Sequence, residues 1–337
     1  MKHLIIILVT TVIASCSLLQ TTTNHNKQLS IGFYNVENLF DTIDNPHTND
    51  NEFLPTGKKA WNTERLTNKM QKLDSVIMVM TPTGVPDLLG VCEVENKLVC
   101  TDWQQQGVLK KHTLVHRESP DHRGIDVALF YNPQKMQLLN VSWHQLIQEN
   151  QEKSSTREIL YAKLLAHKDT LHVFVNHWPS RYGGEETSKP KRVNAAKLLR
   201  TIVDSIQIKQ ANANIVIMGD FNDYPTNESI ASTLQADTAI NGSNSLFNLS
   251  YQAHKNGLGS YNYRGEWGCL DQMIVSKSLI NKSKGYHTNT ASYQIIQQPF
   301  MMYVNKKGEA SPSRTYGGPN YYGGYSDHLP VTVTLNR

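Results

Sequence analysis

The sequence predicts an α/β protein built from two packed, mixed β-sheets with helices outside them, and three observations predict it. Apolar strand-like segments occur both in hairpins and in alternation with amphipathic helical segments, the combination that mixed sheets require. The 337-residue chain shows no internal repeat and no long linker. Residues 29–337 therefore form one expected domain, a size that single α/β domains reach. Third, several buried-looking strands stop on Asp, Glu, Asn or His, at the sheet edge where α/β proteins bind ligands.

Composition sets the outer bounds. Hydrophobic residues at 39% and charged residues at 18% describe an ordinary globular chain, neither disordered nor membrane-spanning. The formal charge of +4 is mildly basic. It suits an anionic substrate but falls far short of the basic stripe of a dedicated DNA binder.

In order, Lys2 and His3 precede an apolar run at 4–13 and the small residues Ala14 and Ser15. This is the pattern of a secretory signal peptide over residues 1–15, too short to span a bilayer as a mature helix. Ile13-Ala14-Ser15-Cys16 resembles a bacterial lipobox, which implies cleavage before Cys16, acylation of its thiol and attachment to a membrane outside the cytoplasm. Residues 16–28, polar and rich in Thr and Asn, suit a tether. The remaining cysteines, Cys92, Cys100 and Cys269, are odd in number, so a fully paired framework is excluded. Cys92 and Cys269 sit in apolar runs as expected buried thiols; a Cys92–Cys100 bridge stays open.

LSIGFYNVENLFD (29–41) begins as an alternating strand and ends in Asn35, Glu37 and Asn38. Asn62 is placed to cap a helix carrying Leu66, Met70, Leu73, Ile77 and Met80 at helical spacing. PDLLGVCEVENK (86–97) is a strand ending in Glu93 and Glu95. Strand-like segments follow at 113–116, 125–131 and 136–143. A hairpin is expected around His167-Lys168-Asp169-Thr170, joining 159–165 to 171–176. LHVFVNHWPSR then releases Asn176, His177 and Trp178 before Pro179. Residues 188–207 are helical, with Val193, Ala196, Leu199, Ile202, Val203 and Ile206 on one side.

NIVIMGDFNDYP (214–225) organises the rest: a strand buried on both faces stops on Gly219 and delivers Asp220, Asn222 and Asp223. A short helix is expected at 227–234. SYNYRGEWGCLDQMIVS (260–276) predicts two strands meeting at Gly268, with Asp271 an acid in apolar surroundings. Residues 305–325 form a loop rich in Gly, Tyr, Lys and Pro, and Ser326-Asp327-His328 feeds a last strand.

Asn35, Glu93, His177, Asp220, Asn222, Asp271, Asp327 and His328 come from six separated segments. Carboxylates and amide oxygens without cysteine suit Mg²⁺ or Mn²⁺ better than zinc. Mg²⁺ takes only one or two carboxylates, so Asn35 and Glu93 form a reasonable primary pair. An Asp beside a His orients the imidazole and stabilises its protonated form. These are parts for metal-assisted hydrolysis of a phosphate ester.

The ordered set NVENLFD, LLGVCEVEN, RGIDVALFY, VNHWPSR, IMGDFND, CLDQMIVS and YSDHLPV resembles the endonuclease/exonuclease/phosphatase superfamily, the deoxyribonuclease I-like proteins, over nearly the whole chain after the tether. The resemblance implies a four-layered α/β sandwich with its site at the shared edge of two sheets. It implies Asn35 and Glu93 as metal ligands with Asp327 near the same or a second ion, and Asp220 and Asn222 at the attacking water. It also implies His328 at the phosphate, oriented by Asp271, and His177 stabilising charge or assisting the leaving group. Glu37 is a lesser metal-site candidate; Arg123 and Arg181 are candidate phosphate contacts. Tyr316, Tyr321, Tyr322 and Tyr325 leave two readings open, a stacking surface for a base or sugar or a floppy aromatic loop. SKPKR (188–192) is either a polyanion attractant or a solvated helix start.

The expected activity is that of a divalent-metal phosphoester hydrolase, first of all a nuclease cleaving DNA or RNA outside the cytoplasm. The alternatives are a phosphatase or phospholipase-type enzyme on a small or lipid-linked phosphate, and a non-catalytic ligand-binding lipoprotein. Expected partners are nucleic acid or another phosphate ester, and a membrane through the lipid anchor. No protein partner is implied.

Overall fold

The computed structural model describes residues 28–147, 153–280 and 284–337. The export segment, Cys16 and the tether through residue 27 lie outside the described residues. Strand β1 (Gln28–Leu39) begins on the last expected tether residue, where Gln28 pairs with Asn336. Helix α1 (Thr63–Ile77) starts as expected at Asn62, whose side chain accepts the Arg65 N–H at 3.0 Å. β2 (Leu88–Val94), α2 (Lys97–Gln106), β3 (Thr113–His116) and β4 (Asp126–Tyr131) follow.

β5 (Met136–His144), β6 (Ile159–Ala166) and β7 (Asp169–His177) form a meander. Its second turn falls at His167-Lys168, inside the expected tetrapeptide. α3 (Glu185–Lys209) starts three residues before the expected helix start at 188, because Glu185 and Glu186 in its first turn favour the helix dipole. After β8 (Asn214–Asp220) the helix expected at 227–234 contracts to one wide turn, Ser229–Thr233. β9 (Ala236–Asp237), β10 (Leu246–Asn248) and the short α4 (Tyr251–Lys255) come next.

The strand pair expected to meet at Gly268 is divided differently. β11 (Tyr261–Tyr263) and β12 (Glu266–Gly268) close on each other through Arg264-Gly265, both at positive φ, the conformation of a two-residue hairpin turn. β13 (Asp271–Ser276) leaves that hairpin and joins β8. β14 (Gln294–Ile295) precedes two small hairpins. They are β15 with β16 (Met302–Val304, Ala310–Pro312) and β17 with β18 (Tyr316–Gly317, Asn320–Tyr321), where a plain loop was expected. β19 (Val331–Asn336) ends the chain.

The two mixed sheets run β14-β19-β1-β2-β4-β3 and β5-β6-β7-β8-β13-β10-β9. Strands alternate their side chains between faces, and the alternation sorts the core. Leu29, Ile31 and Phe33 enter the layer between the sheets, whereas Tyr34 and Val36 pack with Leu73 and Ile77 of α1. Ile215 and Ile217 of β8 pack outward on Leu199 and Val203 of α3. The layers are therefore helix, sheet, sheet, helix, the expected four-layered sandwich. The same sorting corrects the open disulfide: Cys92 lies in the inter-sheet core and Cys100 in the helix-side core, and both are free thiols.

Candidate active site at the shared sheet edge

Four inward rows of the inter-sheet core end on a polar residue. Leu29, Ile31 and Phe33 of β1 continue to Asn35; Leu171, Val173 and Val175 of β7 to His177; Val216 and Met218 of β8 to Asp220. β13 runs the other way, so its inward row of Val275 and Met273 ends on its first residue, Asp271. Register then aligns His177 with Asp220 and Asp220 with Asp271 across the second sheet. A strict period of two would turn Glu93 outward with Leu89 and Val91. A bulge between Cys92 and Val94, with Glu93 at φ 64°, re-aims it toward the same edge.

The groups touch. The Asn35 amide nitrogen donates to Glu93 Oε1 at 3.2 Å and to Asp220 Oδ2 at 3.1 Å, and the Glu37 N–H holds its oxygen at 3.0 Å. His328 Nδ1 donates to Asp271 Oδ2 at 2.6 Å, leaving Nε2 at 3.8 Å from Asp220 Oδ2. His177 Nε2 lies 3.8 Å from both Glu93 Oε1 and Asp220 Oδ2. Ser326 ties the last segment down: its hydroxyl donates to the Asn35 carbonyl at 2.7 Å and accepts the His328 N–H at 3.1 Å. Asp220, Asp271 and both histidines are buried, while the side chains of Glu93 and Asp327 stay 15% and 23% exposed. An ion or substrate arriving from solvent meets that pair first.

Electrostatics separates the two histidines. Burial depresses His177, and the nearby positive charges of Arg157, Arg123 and His328 push it further down, so it is neutral. Burial would also depress His328, but Asp271, Asp220 and Asp327 outweigh it and hold the imidazolium. Burial raises the Asp220 carboxyl to about 6, with His328 opposing. Groups whose surroundings drive their pKa values apart are the mark of divided acid and base roles.

Asn222 sits at φ 51°, its N–H on Asp220 Oδ1 at 2.9 Å and its amide nitrogen on the Trp178 carbonyl at 3.1 Å. Arg181 is drawn to this loop: it donates to the Asn222 carbonyl at 2.8 Å, to Asp223, Asn227 and Glu185, and lies over the Tyr224 ring. Arg123 keeps a half-exposed side chain beside Asp121 and contributes to the field on His177. Both oxygens of Glu37 accept backbone N–H groups, from Thr315 at 2.6 Å and Tyr316 at 3.4 Å, and the buried Lys69 ammonium lies 3.6 Å away. Within SKPKR, Arg192 is buried on Asp223 and Lys189 pairs with Glu228.

Sequence reasoning missed four neighbours. Ser260 donates to Asp271 Oδ2. Arg157 donates to Asp121 at 3.0 Å and to the Trp178 carbonyl at 2.8 Å, next to His177. Arg314 lies 3.7 Å from Asp327 Oδ2, and the Tyr261 ring covers His328 at 4.7 Å. Ser260, Arg157 and Arg314 lie on irregular segments and Tyr261 opens the short strand β11, and no motif marks them.

The Glu93 and Asp327 carboxylates are oxygen donors that fit a hard divalent cation, and Asn35 would add its oxygen with the amide turned over from its present hydrogen bonds. Burial raises the Asp327 carboxyl, His328 counters, and the negative charge of Glu93 raises it again. A cation between that pair would relieve the repulsion. By contrast, the Asp220, Asp271 and His328 cluster spends its closest contact on the histidine–aspartate hydrogen bond.

Residues 30–337 match the model of the Endonuclease/Exonuclease/phosphatase family. No curated protein matches the sequence. Among solved structures, the chain is similar to the Bacteroides thetaiotaomicron mannosyl-6-phosphatase Bt3783 at 15% identity and TM-score 0.58, covering 92% of this chain and 100% of that one. It is similar to the human Nocturnin catalytic domain at 15% identity and TM-score 0.56, covering 92% and 94%. Humanized D. rerio TDP2 gives 15% identity and TM-score 0.55, covering 92% and 99%. At such identities the structures speak for the fold, and the family rests on a match running almost from β1 to the last residue: the chain belongs to the Endonuclease/Exonuclease/phosphatase family.

Proposed function

We propose that this chain is a divalent-metal-dependent phosphoester hydrolase whose first substrate is a DNA or RNA phosphodiester met outside the cytoplasm. One observation carries the reading: His177 and His328 each bring Nε2 to 3.8 Å from Asp220 Oδ2, while Asn35 links Asp220 to the partly exposed Glu93 carboxylate. Asn35, Glu93 and Asp327 would hold Mg²⁺ or Mn²⁺, which when bound offsets charge on the phosphoryl oxygens. Asp220 takes a proton from the attacking water, which Asn222 orients. His328, held by Asp271, donates to a phosphoryl oxygen. His177 has a neutral ring to offer a hydrogen bond to the leaving group. Arg123 has the exposure to reach a phosphate, and Arg181 is a positioning residue for the Asn222 loop. Export and acylation at Cys16 complete the proposal: Cys16→Ala should move the protein from the membrane to the soluble fraction.

A second reading, a phosphatase on a small phosphomonoester, is favoured by one feature, the cleft of about 480 Å³ beside Arg314. Plasmid DNA, single-stranded oligonucleotide, RNA, glucose 6-phosphate and glycerol 3-phosphate, each with Mg²⁺ or Mn²⁺, separate the readings. Loss of intact nucleic acid supports the nuclease. Phosphate release with intact DNA and RNA supports the phosphatase. No turnover of any ester by protein that binds them would leave only a ligand-binding role.

A further inference from the structure

Beside the centre runs the segment 313–325, and α1 with the residues before it fastens that segment almost point by point. Lys59 donates to the Gly318 carbonyl and lies over the Tyr316 ring. Arg65 covers Tyr321, whose hydroxyl accepts from Asn68 at 2.9 Å. Lys69 donates to Thr315 Oγ1 at 2.6 Å and to the Tyr325 carbonyl at 2.7 Å, and Lys72 donates to the Gly323 carbonyl. Tyr316 is buried against Phe53 and Trp61. Among the side chains of the segment that point elsewhere are Arg314, 40% exposed, and Tyr322, 64% exposed. With Tyr303, itself 57% exposed, they line the cleft of about 480 Å³ together with Ser311, Pro312 and Ser313. Arg314 belongs to both places, since it also lies 3.7 Å from Asp327, the neighbour of His328 in sequence.

We propose that this cleft is a ring-binding subsite: the flat ring carried by the phosphoester stacks on Tyr303 and Tyr322 while Arg314 holds the phosphate that enters the centre. The inference rests on the phosphoester reading above and names the class of substrate. Two exposed tyrosines would be poor anchors on a loose loop. Tyr322 stands on the fastened segment and Tyr303 on the paired strand β15, so each gives up only two torsions on binding and contact area comes at little entropic cost. Stacking tolerates many rings because it needs only a flat face, and the guanidinium fork of Arg314 suits phosphate oxygens. The Tyr322 ring lies so close over Gly317 that a Cβ there would meet Tyr322 Cε2 at 2.4 Å. The glycine therefore sets the ring's position.

The flat ring is a nucleobase; a sugar, which would instead lay a C–H face on the tyrosines, is the other outcome that the substrates tell apart. KM and kcat are measured for the p-nitrophenyl ester of thymidine 5′-phosphate, for glucose 6-phosphate and for the acyclic glycerol 3-phosphate. The proteins are wild type, Tyr303→Ala/Tyr322→Ala and Tyr303→Phe/Tyr322→Phe. The double alanine variant should raise KM for one or both ring-bearing esters by about tenfold, with kcat within about twofold. Glycerol 3-phosphate should be unaffected, and the phenylalanine variant should restore wild-type KM. A response confined to the thymidine ester identifies a nucleotide site, and one confined to glucose 6-phosphate a sugar site. Equal KM changes for all three esters, or none, would overturn the subsite. Calorimetric titration of thymidine 5′-monophosphate and glucose 6-phosphate covers the case of no turnover. Binding that weakens in the alanine variant keeps the subsite and removes only the hydrolase reading; equal binding in both proteins, or none in either, removes the subsite.

Discussion

Asp220 is a buried carboxyl, and burial sets its hold on a proton. Burial raises its carboxyl from 3.8 to about 6, so folding keeps a proton that the unfolded chain would release. The stability this contributes is fully present below about 3.8 and is lost as pH rises through about 6. Asp220→Asn should therefore gain on wild type between pH 4 and pH 7 in metal-free buffer, read as the difference in urea midpoint. A difference that stays constant with pH would mean that the carboxyl titrates like an ordinary aspartate. Asp271 does its work through His328, by a 2.6 Å hydrogen bond that a neutral amide replaces poorly. Asp271→Asn should lower kcat by roughly two to four orders of magnitude, with little change in KM and a fall in the His328 pKa measured by NMR. An unchanged His328 titration would remove the orienting role.

Among the elements, α1 is the one whose charges were hardest to foresee. Its apolar stripe at Met70, Leu73 and Ile77 and its Asn62 cap follow from helical spacing. Lys69 on the same helix is buried to 1% exposure, and its side chain lies 3.6 Å from Glu37. A lysine on a helix ordinarily suggests a solvated face, so nothing local announces the pair. Burial lowers the Lys69 ammonium while Glu37 holds it up. Lys69→Met leaves Glu37 buried without its cation and should cost about 3–5 kcal/mol in urea denaturation. Adding Glu37→Gln should return most of that loss; a double variant as unstable as the single would show that packing of the lysine stem, not the charge pair, sets the stability.

At the scale of the whole molecule, the site is the place where the inter-sheet core runs out of apolar residues. That is why so much of it was legible: Asn35, His177, Asp220 and Asp271 each extend an alternating row whose earlier members are Leu, Ile, Val, Met or Phe. Glu93 was legible as an acidic strand end, but its direction depends on a bulge that no pattern in LLGVCEVEN declares. Ser260, Arg157 and Arg314 lie on irregular segments where periodicity carries no information, so contacts made across the sandwich decide them. Arg181 stood in a suggestive motif, yet its donors hold the Asn222 loop. The hairpin at Arg264-Gly265 was likewise missed because the weight fell on Gly268 instead of the two-residue turn.

The central claim is that the Asn35 row, the bulge at Glu93 and the segment carrying Asp327 together form a seat for a hard cation. Anomalous scattering from a crystal of the protein grown with Mn²⁺ tests it most directly. The strongest peak should lie beside the Glu93 carboxylate, within coordination reach of Asn35 or Asp327, and should vanish in Glu93→Gln. A strongest peak elsewhere, such as among His116, Glu118 and Asp126, or a Glu93 site empty at saturating Mn²⁺, would contradict it.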